Sequence, residues 1–321
     1  MTIASALNLE ISSTDQPRPV ALSVFVLTKN ESSNLRQCLE SLRGCCDDIH
    51  VVDSFSTDDT VEIAQEYGAI VVQHAFEGHT RQRTWALQHL AFRHEWVIAL
   101  DADHRVTPEL NDELKQIFMK PPEGVAGLFV KRRQIFRGRW MRHGGYYPKY
   151  MLKIFRHSAA YLDNNEFDYR FYVNGRTETL KHDILEANQN EWRISFFIEK
   201  HNKFASELAA EEVKREGGGL PYLVKPSFFG NPDQRTLWLK LVWRHFPLYV
   251  RPFLMFVYRY LIRLGFLDGK EGFIFYFLQT FWFRLLVDIR LEEMRAEQRI
   301  VIPSTISRTS KGSTPEPNHP Q

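Results

Sequence analysis

The first third of the chain alternates short apolar runs with stretches in which apolar residues recur every three or four positions. The apolar runs are rich in β-branched residues and predict buried strands at 21–28, 49–53, 69–72 and 96–101. The intervening periodicity is that of one buried helix face, and it is clearest at Leu35, Cys38, Leu39 and Leu42. This alternation predicts an α/β domain with a mostly parallel central sheet and right-handed crossovers.

Changes in composition along the chain indicate where its domains and tails begin and end. A glycine triplet at 217–219 opens a Pro- and Gly-containing run, and the last residues are rich in Ser, Thr and Pro. The predicted divisions are a flexible tail at 1–20, the α/β domain at 21–216 with halves at 21–125 and 126–216, a linker at 217–235, a helical region at 236–302 and a disordered tail at 303–321.

The region 237–287 is rich in aromatic residues and is repeatedly interrupted by arginine and lysine. Its longest uncharged run, 272–283, is shorter than the roughly 20 apolar residues that a spanning helix needs. Lys240, Arg244 and Arg251 are spaced to share one face of a helix. Basic faces opposite aromatic ones predict amphipathic helices that lie on an anionic membrane surface without crossing it. The alternative is a helical subdomain packed on the rest of the protein.

Charge and cysteine content narrow the function classes. A formal net charge of +2 gives no global attraction for polyanions, and base-reading motifs are absent, so nucleic acid is not an expected partner. Cys38, Cys45 and Cys46 form no metal-ligand spacing with histidines, which indicates reduced thiols in the cytoplasm. The segment 1–18 is polar and has no signal-peptide pattern.

Two carboxylates, Asp101 and Asp103, stand at the end of the fourth predicted strand. In an open α/β sheet, ligands bind at this carboxyl edge. Two hard oxygen ligands at such a point suit Mg²⁺ or Mn²⁺ that holds a diphosphate. The alternative is that the two acids cluster at a strand end by chance.

Four ordered motifs carry a family resemblance. They are Leu-Thr-Lys-Asn-Glu at 27–31, Val-Val-Asp-Ser-Phe-Ser-Thr-Asp at 51–58, Arg-Gln-Arg at 81–83 and Leu-Asp-Ala-Asp-His at 100–104. Together they resemble the family 2 glycosyltransferases, which have the GT-A fold. The segment Arg-Gly-Arg-Trp-Met-Arg-His-Gly-Gly-Tyr-Tyr-Pro at 137–148 resembles the subgroup of lipopolysaccharide-core β-1,4-glucosyltransferases. Thr84 departs from this pattern, because the family commonly has Asn there.

The resemblance implies a binding site for a nucleotide-sugar donor. Its residues would be Thr28, Asn30, Glu31, Asp53, Arg83 and Asp101, with Asp103 and Asp101 as ligands of Mg²⁺ or Mn²⁺. Glu31 would accept from a ribose hydroxyl and Asp53 from a uracil N–H, and Arg83 would meet the diphosphate or brace Asp101. Local alternatives are an N-cap at Asn30, a helix-dipole partner at Glu31 and a solvated helix face at Arg83.

The same resemblance implies an acceptor site in the 137–148 segment, at Trp140, His143, Gly144, Gly145 and Tyr146. The glycines permit close backbone approach, and the aromatic rings would stack on a sugar. The alternative is that these rings pack a core. Basic residues between Lys131 and Arg142 would face an anionic membrane or an acceptor phosphate, and the alternative is that they are solvated.

Transfer of a sugar with inversion needs one carboxylate that takes the proton of the acceptor hydroxyl. The resembled subgroup often has a His-Glu pair here, and Asp168 and Tyr169 occupy the pair's positions. Asp168 is the predicted base, with Glu166 as the neighbouring candidate on the same strand face. The alternative is a strand-edge acid paired with Arg170 or Arg176.

These features predict a metal-dependent, inverting glycosyltransferase that uses a nucleotide sugar, with UDP-sugars expected. Its acceptor would be a lipid-linked or lipopolysaccharide-type glycan, and the protein would lie peripherally on the inner face of the cytoplasmic membrane. One alternative is a sugar-phosphate nucleotidyltransferase, although no Gly-rich basic phosphate loop follows the first strand. The other is a membrane-surface protein that binds glycan or nucleotide without catalysis.

Overall fold

The computed structural model describes residues 20–163, 165 and 169–306. The strands in these ranges are β1 Ser23–Thr28, β2 Asp48–Asp53, β3 Ile70–Gln73, β4 Trp96–Asp101, β5 His104–Val106, β6 Val125–Phe136, β7 Arg139–Trp140, β8 Lys149–Arg156, β9 Ala160–Leu162, β10 Phe171–Val173 and β11 Arg176–Glu186. The α-helices are α1 Ser32–Ser41, α2 Thr60–Glu66, α3 His79–His89, α4 Pro108–Met119, α5 Ile194–Glu216, α6 Pro232–Arg244, α7 Val250–Val257, α8 Gly269–Tyr276 and α9 Phe283–Ile306.

One large sheet has the strand order β3-β2-β1-β4-β8-β6-β11-β5, with β7 paired to β6. Strands β1 to β4 run parallel to one another, and β6 is parallel to β11. Strand β8 is antiparallel to its neighbours β4 and β6, and β5 is antiparallel to β11. The predicted α/β fold with a mostly parallel sheet is therefore confirmed, and antiparallel β8 lies between β4 and β6.

The helices cover the sheet with the faces that the periodicity predicts. Leu35, Cys38 and Leu39 of α1 are at most 1% exposed. Each large apolar side chain buried in this way contributes about 1.5–3 kcal/mol to folding. At the start of α4, the Thr107 hydroxyl accepts a hydrogen bond from the Leu110 amide at 3.2 Å, and Pro108 follows as the first helical residue.

The C-terminal helices pack on the long helix α5. Ala205 and Leu208 of α5 lie against Phe283, Val287 and Leu291 of α9. Short π-helical turns at Tyr258–Ile262 and Phe277–Trp282 continue α7 and α8. A 3₁₀ turn at Gly265–Asp268 connects the end of the first π-turn to α8. Helix α9 is described as far as Ile306, so it extends past residue 303, where the sequence predicted a tail.

The prediction that Lys240, Arg244 and Arg251 form one exposed basic helix face is wrong. Arg251 is 4% exposed and pairs with Asp288 and Glu212, while the Arg244 guanidinium donates to the hydroxyl of Tyr222. Breaking a buried pair of this kind is costly, so Arg251 serves folding.

One helical segment, Gly265–Gln298, is 34 residues long and apolar enough to cross a membrane by length and composition. The short uncharged run at 272–283 therefore does not by itself exclude a span. In its most apolar window, 39% is buried inside the protein.

Candidate active site

The two acids of the Asp101–Asp103 turn lie at the carboxyl edge of the sheet, because β4 ends at Asp101 and the chain reverses into β5. The Asp103 carbonyl accepts from the Ala187 amide at 2.9 Å. Its carboxylate accepts from the Asn188 side-chain amide at 3.3 Å. The turn is thereby held from the end of β11, and the Asp103 carboxylate remains partly exposed.

Asp101 is an anchor of the site. Its carboxylate accepts from the Arg83 guanidinium, from Lys153 Nζ at 3.2 Å and from the Tyr169 hydroxyl at 3.2 Å. Burial alone would raise the pKa of Asp101, but the charges of Arg83 and Lys153 outweigh it and hold the pKa well below its ordinary value. The prediction that Arg83 braces Asp101 agrees with this geometry. The prediction that Asp101 is a metal ligand stays a prediction, and in this structure its oxygens accept hydrogen bonds from these donors.

Arg83 is oriented from three sides. Its guanidinium also donates to the His79 carbonyl at 2.9 Å and lies 3.7 Å from the centre of the Tyr169 ring. At 4% exposure it is not a solvated residue. The stack and the ion pair fix one rotamer, which positions Asp101.

His104, directly after the two acids, was not predicted as a site residue. The Asp101 amide donates to His104 Nδ1 at 2.9 Å, so this nitrogen carries no proton. The proton is therefore on Nε2, which lies 3.4 Å from Glu186 Oε2. Lys153 and Glu186 were also missed, because only the insertion of β8 beside β4 and the pairing of β11 with β5 bring them here.

The predicted donor residues Thr28, Asn30 and Asp53 hold two loops together. The Asp53 carboxylate accepts from the Thr28 hydroxyl at 3.0 Å and from the Ser56 amide at 2.9 Å. Asn30 Oδ1 accepts from the Thr57 amide at 2.8 Å. Asp53 has no exposed surface in this structure. Contact with a nucleobase would require this loop to open, so the donor role of Asp53 stays a prediction.

Glu31 lies close to the Asp101–Asp103 turn. Its carboxylate accepts from Asn34 Nδ2 at 2.7 Å. Burial, with the negative charge of Asp103 as a smaller cause, raises the pKa of Glu31 to about 7. The group is therefore poised to exchange a proton near neutral pH at the edge where a ligand would enter.

Lys200 of α5 faces the same turn and was not predicted. Its Nζ lies 3.0 Å from Glu191 Oε1. The carboxylates of Glu191 and Asp103 raise the pKa of Lys200 despite its burial, so it remains a cation beside Asp103.

Asp103 is the described residue that fits a divalent cation best. Among the described residues, no group of three or more His, Cys, Asp or Glu side chains is arranged to hold a metal ion. Mg²⁺ commonly uses one or two carboxylates and completes its octahedron with substrate phosphates and water. The partly exposed carboxylate of Asp103 fits that mode, in which the donor diphosphate supplies the other oxygens.

Four of the five predicted acceptor residues, His143, Gly144, Gly145 and Tyr146, lie against the C-terminal helices. His143 Nδ1 lies 2.6 Å from Asp268 Oδ1, and the His143 amide donates to Asp268 Oδ2 at 3.0 Å. The Tyr276 hydroxyl donates to the His143 carbonyl at 2.8 Å. Tyr146 packs edge-on against Phe275 and Tyr276. These contacts clasp the segment to the helices, so acceptor binding by them stays a prediction.

Gly144 is required by the approach of Tyr276. Its φ is +63°, and a Cβ atom there would lie 2.3 Å from Tyr276 Cε1. Gly145 has φ +72°, but its Cβ would lie 3.4 Å from the flexible end of Arg263. The close approach predicted for these glycines exists, and its partner is a side chain of α8.

Trp140 lies between two guanidinium groups. Arg133 and Arg142 lie 4.9 and 5.5 Å from its ring centre, and Tyr147 packs edge-on at 5.0 Å. A sugar would have to displace one of these neighbours to stack on the ring.

Both candidate bases, Asp168 and Glu166, lie outside the described residues. Tyr169, the next residue after Asp168 in the chain, bonds to Asp101. Arg170 pairs with Asp233, and Arg176 with Glu178. The base assignment therefore stays a prediction.

Comparison with known proteins places this fold and site in a family. The model of glycosyl transferase family 2 matches residues 23–182, which include the whole parallel half of the sheet and the Asp101–Asp103 turn. Through this domain, the chain belongs to glycosyl transferase family 2.

Curated relatives include an uncharacterised glycosyltransferase of Rickettsia conorii, 41% identical over 97 residues, which are 30% of this chain and 34% of the relative. The match thus spans about a third of that relative's length. The lipopolysaccharide core biosynthesis glycosyltransferase LpsC of Rhizobium meliloti is 28% identical over 225 residues, covering 64% of this chain and 76% of LpsC.

Among solved structures, the mannosyltransferase PcManGT from Pyrobaculum calidifontis in complex with GDP-Man and Mn²⁺ has 13% identity and a TM-score of 0.44, over 85% of this chain and 87% of that one. Glucosyl-3-phosphoglycerate synthase from Mycobacterium tuberculosis has 23% identity and a TM-score of 0.30, over 36% and 44%.

Gly144 and Gly145 allow a matched test of the contact between this segment and Tyr276. Gly144→Ala and Gly145→Ala both place a Cβ at positive φ, which costs about 1–2 kcal/mol. Only Gly144→Ala also meets the Tyr276 ring, and overpacking adds about 1–3 kcal/mol. We expect urea unfolding to show the larger loss of stability for Gly144→Ala. Equal losses of stability for the two variants would contradict the close contact between Gly144 and Tyr276.

Proposed function

We propose that the protein transfers a sugar from a nucleotide sugar, with UDP-sugars expected, to a glycan acceptor with inversion at the anomeric carbon. The observation that carries the proposal is the turn at the carboxyl edge of a family 2 domain. There, Asp101 is fixed by two cations while Asp103 keeps a partly exposed carboxylate. Family membership supports the reaction class, and the edge of the sheet supports the place of the donor.

A divalent cation bound at Asp103 would act as a Lewis acid on the departing nucleoside diphosphate. The protein's own residues prepare this region. Arg83 and Lys153 keep Asp101 ionised and immobile, and Lys200 supplies a positive charge beside Asp103. Glu31, with a pKa near 7, is placed to donate or accept a hydrogen bond at the donor's edge.

The acceptor side needs one base, because direct displacement requires that the attacking hydroxyl lose its proton. Asp168 is the proposed base. Its support is the resemblance of its motif and the position of its neighbour Tyr169, whose hydroxyl is 3.2 Å from Asp101. A single base distinguishes this chemistry from the paired carboxylates of glycosidases.

The proposed acceptor is a lipopolysaccharide-type or lipid-linked glycan. The support is the match to LpsC, which is 28% identical over 225 residues and covers 64% of this chain. We propose further that the enzyme works on the cytoplasmic face of the membrane.

A surface that fits the membrane lies at the turn between α7 and α8. We call it the apolar tip: it consists of the exposed residues Leu261, Ile262, Leu264, Phe266 and Leu267. Arg263 and Lys270 are exposed within and beside it. Apolar side chains interleaved with cations suit the interface of an anionic bilayer. The tip replaces the basic helix face that the sequence predicted as the membrane contact.

For the metal role, we expect Asp103→Ala to abolish transfer and donor hydrolysis. Binding of UDP should weaken only when Mn²⁺ is present, because the carboxylate acts through the cation. Calorimetric titration of UDP with and without Mn²⁺ measures this. Asp112→Ala, an exposed acid of α4, is the control. Full activity of purified Asp103→Ala would remove the proposed role.

For the base, we expect Asp168→Asn to lower kcat by about 10² or more, the usual range for loss of a general base. Donor affinity should change little, since the base acts on the acceptor. Steady-state kinetics and UDP titration separate the two. If Glu166→Gln shows this pattern and Asp168→Asn does not, the base is Glu166.

For the membrane, we expect the wild-type protein to co-sediment with anionic vesicles at low salt. Leu261→Ser with Ile262→Ser should lower the bound fraction about tenfold or more, since each large apolar side chain contributes roughly 1.5–3 kcal/mol when buried. The control is Ile70→Ser with Phe76→Ser, which alters equally exposed residues of the nucleotide-binding half. The assignment of the apolar tip as the membrane contact would be refuted if the wild-type protein dimerises through the tip and does not bind vesicles.

A further inference from the structure

Strands β6 and β8 face the C-terminal helices across a region that collects positive charge. We call it the inner cation cluster: Arg132, Lys149, Arg170, Lys240, Arg259 and Arg284. These residues come from β6, β8, the segment before β10, α6, the π-turn after α7, and α9. The cluster borders the Asp101–Asp103 turn through Glu186, which bonds to Arg132 at 2.6 Å.

The sheet register itself places like charges together. Arg132 and Lys149 are directly opposite each other on antiparallel strands β6 and β8. Side chains so paired lie on the same face about 5 Å apart at Cβ, and like charges in such a pair destabilise the sheet. A pairing with this cost is explained by an anion that the two cations bind together.

The cations also influence one another's ionisation. The pKa of Lys149 lies well below its ordinary value, chiefly because Arg132 faces it, with burial and Arg170 adding to the effect. Burial, together with the charges of Arg284 and Lys149, lowers the pKa of Lys240 to about 7. The side chain of Lys149 is nevertheless exposed to solvent, so a ligand can reach it.

Arg132 has a buried donor atom without a partner among the described residues. Arg132 is 9% exposed, its Nη1 serves Glu186, and its Nε is buried without a hydrogen-bond acceptor. Leaving a charged donor unsatisfied costs more than a hydrogen bond returns, so a ligand oxygen is the expected acceptor. Other arginines in this part of the sequence are occupied elsewhere: Arg133 pairs with Asp183, and Arg142 lies over Trp140.

Two described carboxylates pair with the cluster: Glu186 with Arg132, and Asp233 with Arg170. The six basic groups of the cluster outnumber these two carboxylates. A phosphate monoester carries a charge of about −1.5 to −2 at neutral pH and has three acceptor oxygens. It therefore matches both the charge and the donors better than a single carboxylate would.

We propose that the inner cation cluster binds a phosphate ester carried by the acceptor. The proposal rests on the proposed glycosyl transfer. The same helices that supply Lys240 and Arg259 also carry exposed Leu239, Tyr258 and Leu261. A phosphate on a lipid-anchored or phosphorylated glycan could therefore enter from the apolar side and hold the acceptor hydroxyl near the base.

The test is binding of octyl phosphate, below its micelle concentration, to full-length protein saturated with UDP and Mn²⁺. Octyl glucoside serves as the neutral ligand and inorganic phosphate as the free anion. We expect octyl phosphate to bind more tightly than either. Lys149→Gln with Lys240→Gln should weaken it by at least about tenfold, since hydrogen bonds to charged groups are lost.

Lys203→Gln with Arg235→Gln, two exposed cations on α5 and α6, is the matched control and should change the affinity less than about twofold. Unchanged UDP–Mn²⁺ affinity shows that the cluster variant is folded. If the variant loses UDP–Mn²⁺ binding and keeps octyl phosphate, the cluster serves the donor and the proposal fails. Equal affinity for inorganic phosphate or octyl glucoside would also overturn it. Asp103→Ala should retain octyl phosphate binding, which separates this result from failure of the transfer reaction.

Discussion

The buried ion pairing around Asp101 is the interaction on which the rest of the site depends. One carboxylate at the end of β4 joins α3 through Arg83, β8 through Lys153 and the segment before β10 through Tyr169. A buried charge is tolerated only when it is paired and hydrogen-bonded. Because Asp101 holds these elements, Asp103, two residues later, projects from a rigid turn.

The C-terminal helices are part of the architecture of the site. The His143–Gly145 segment is bonded to Asp268, Tyr276 and Arg259, so the acceptor half and the helices form one packed unit. The hydrophobic cluster around Phe136, Phe197 and Tyr276 continues this contact. A surface that meets a membrane at the apolar tip would therefore be rigidly related to the carboxyl edge of the sheet. This geometry suits an enzyme whose donor is soluble and whose acceptor is anchored.

Acidic and basic side chains near the site form separate groups, although the net charge of the protein is only +2. Acids gather at one side of the edge, where Glu31, Asp103 and Glu191 lie near Lys200. Cations gather on the other side, around Arg132 and Lys149. At the low effective dielectric of partly buried sites, these local fields outweigh the overall charge balance. The first suits a cation-bound diphosphate and the second an anionic group, so the two substrates would be told apart by charge.

The sequence alone determined the parallel half of the fold, because strand and helix periodicities are local and the core contacts of α1 follow from them. It also predicted the place of Asp101 and Asp103, since a strand end needs no tertiary information. The family resemblance gave bracing of Asp101 as one of two roles for Arg83. The roles of Lys153, Glu186 and Lys200 were decided by tertiary structure. They lie 50, 83 and 97 residues after Asp103 in the chain, and strand pairing or helix docking alone brings them near. The same holds for the basic residues of α6 and α7, whose helical spacing predicted an exposed face. The spacing of residues along a helix indicates which of them share a face, but not which other element packs on that face. Here Asp288 of α9 pairs with Arg251 of α7 and covers it.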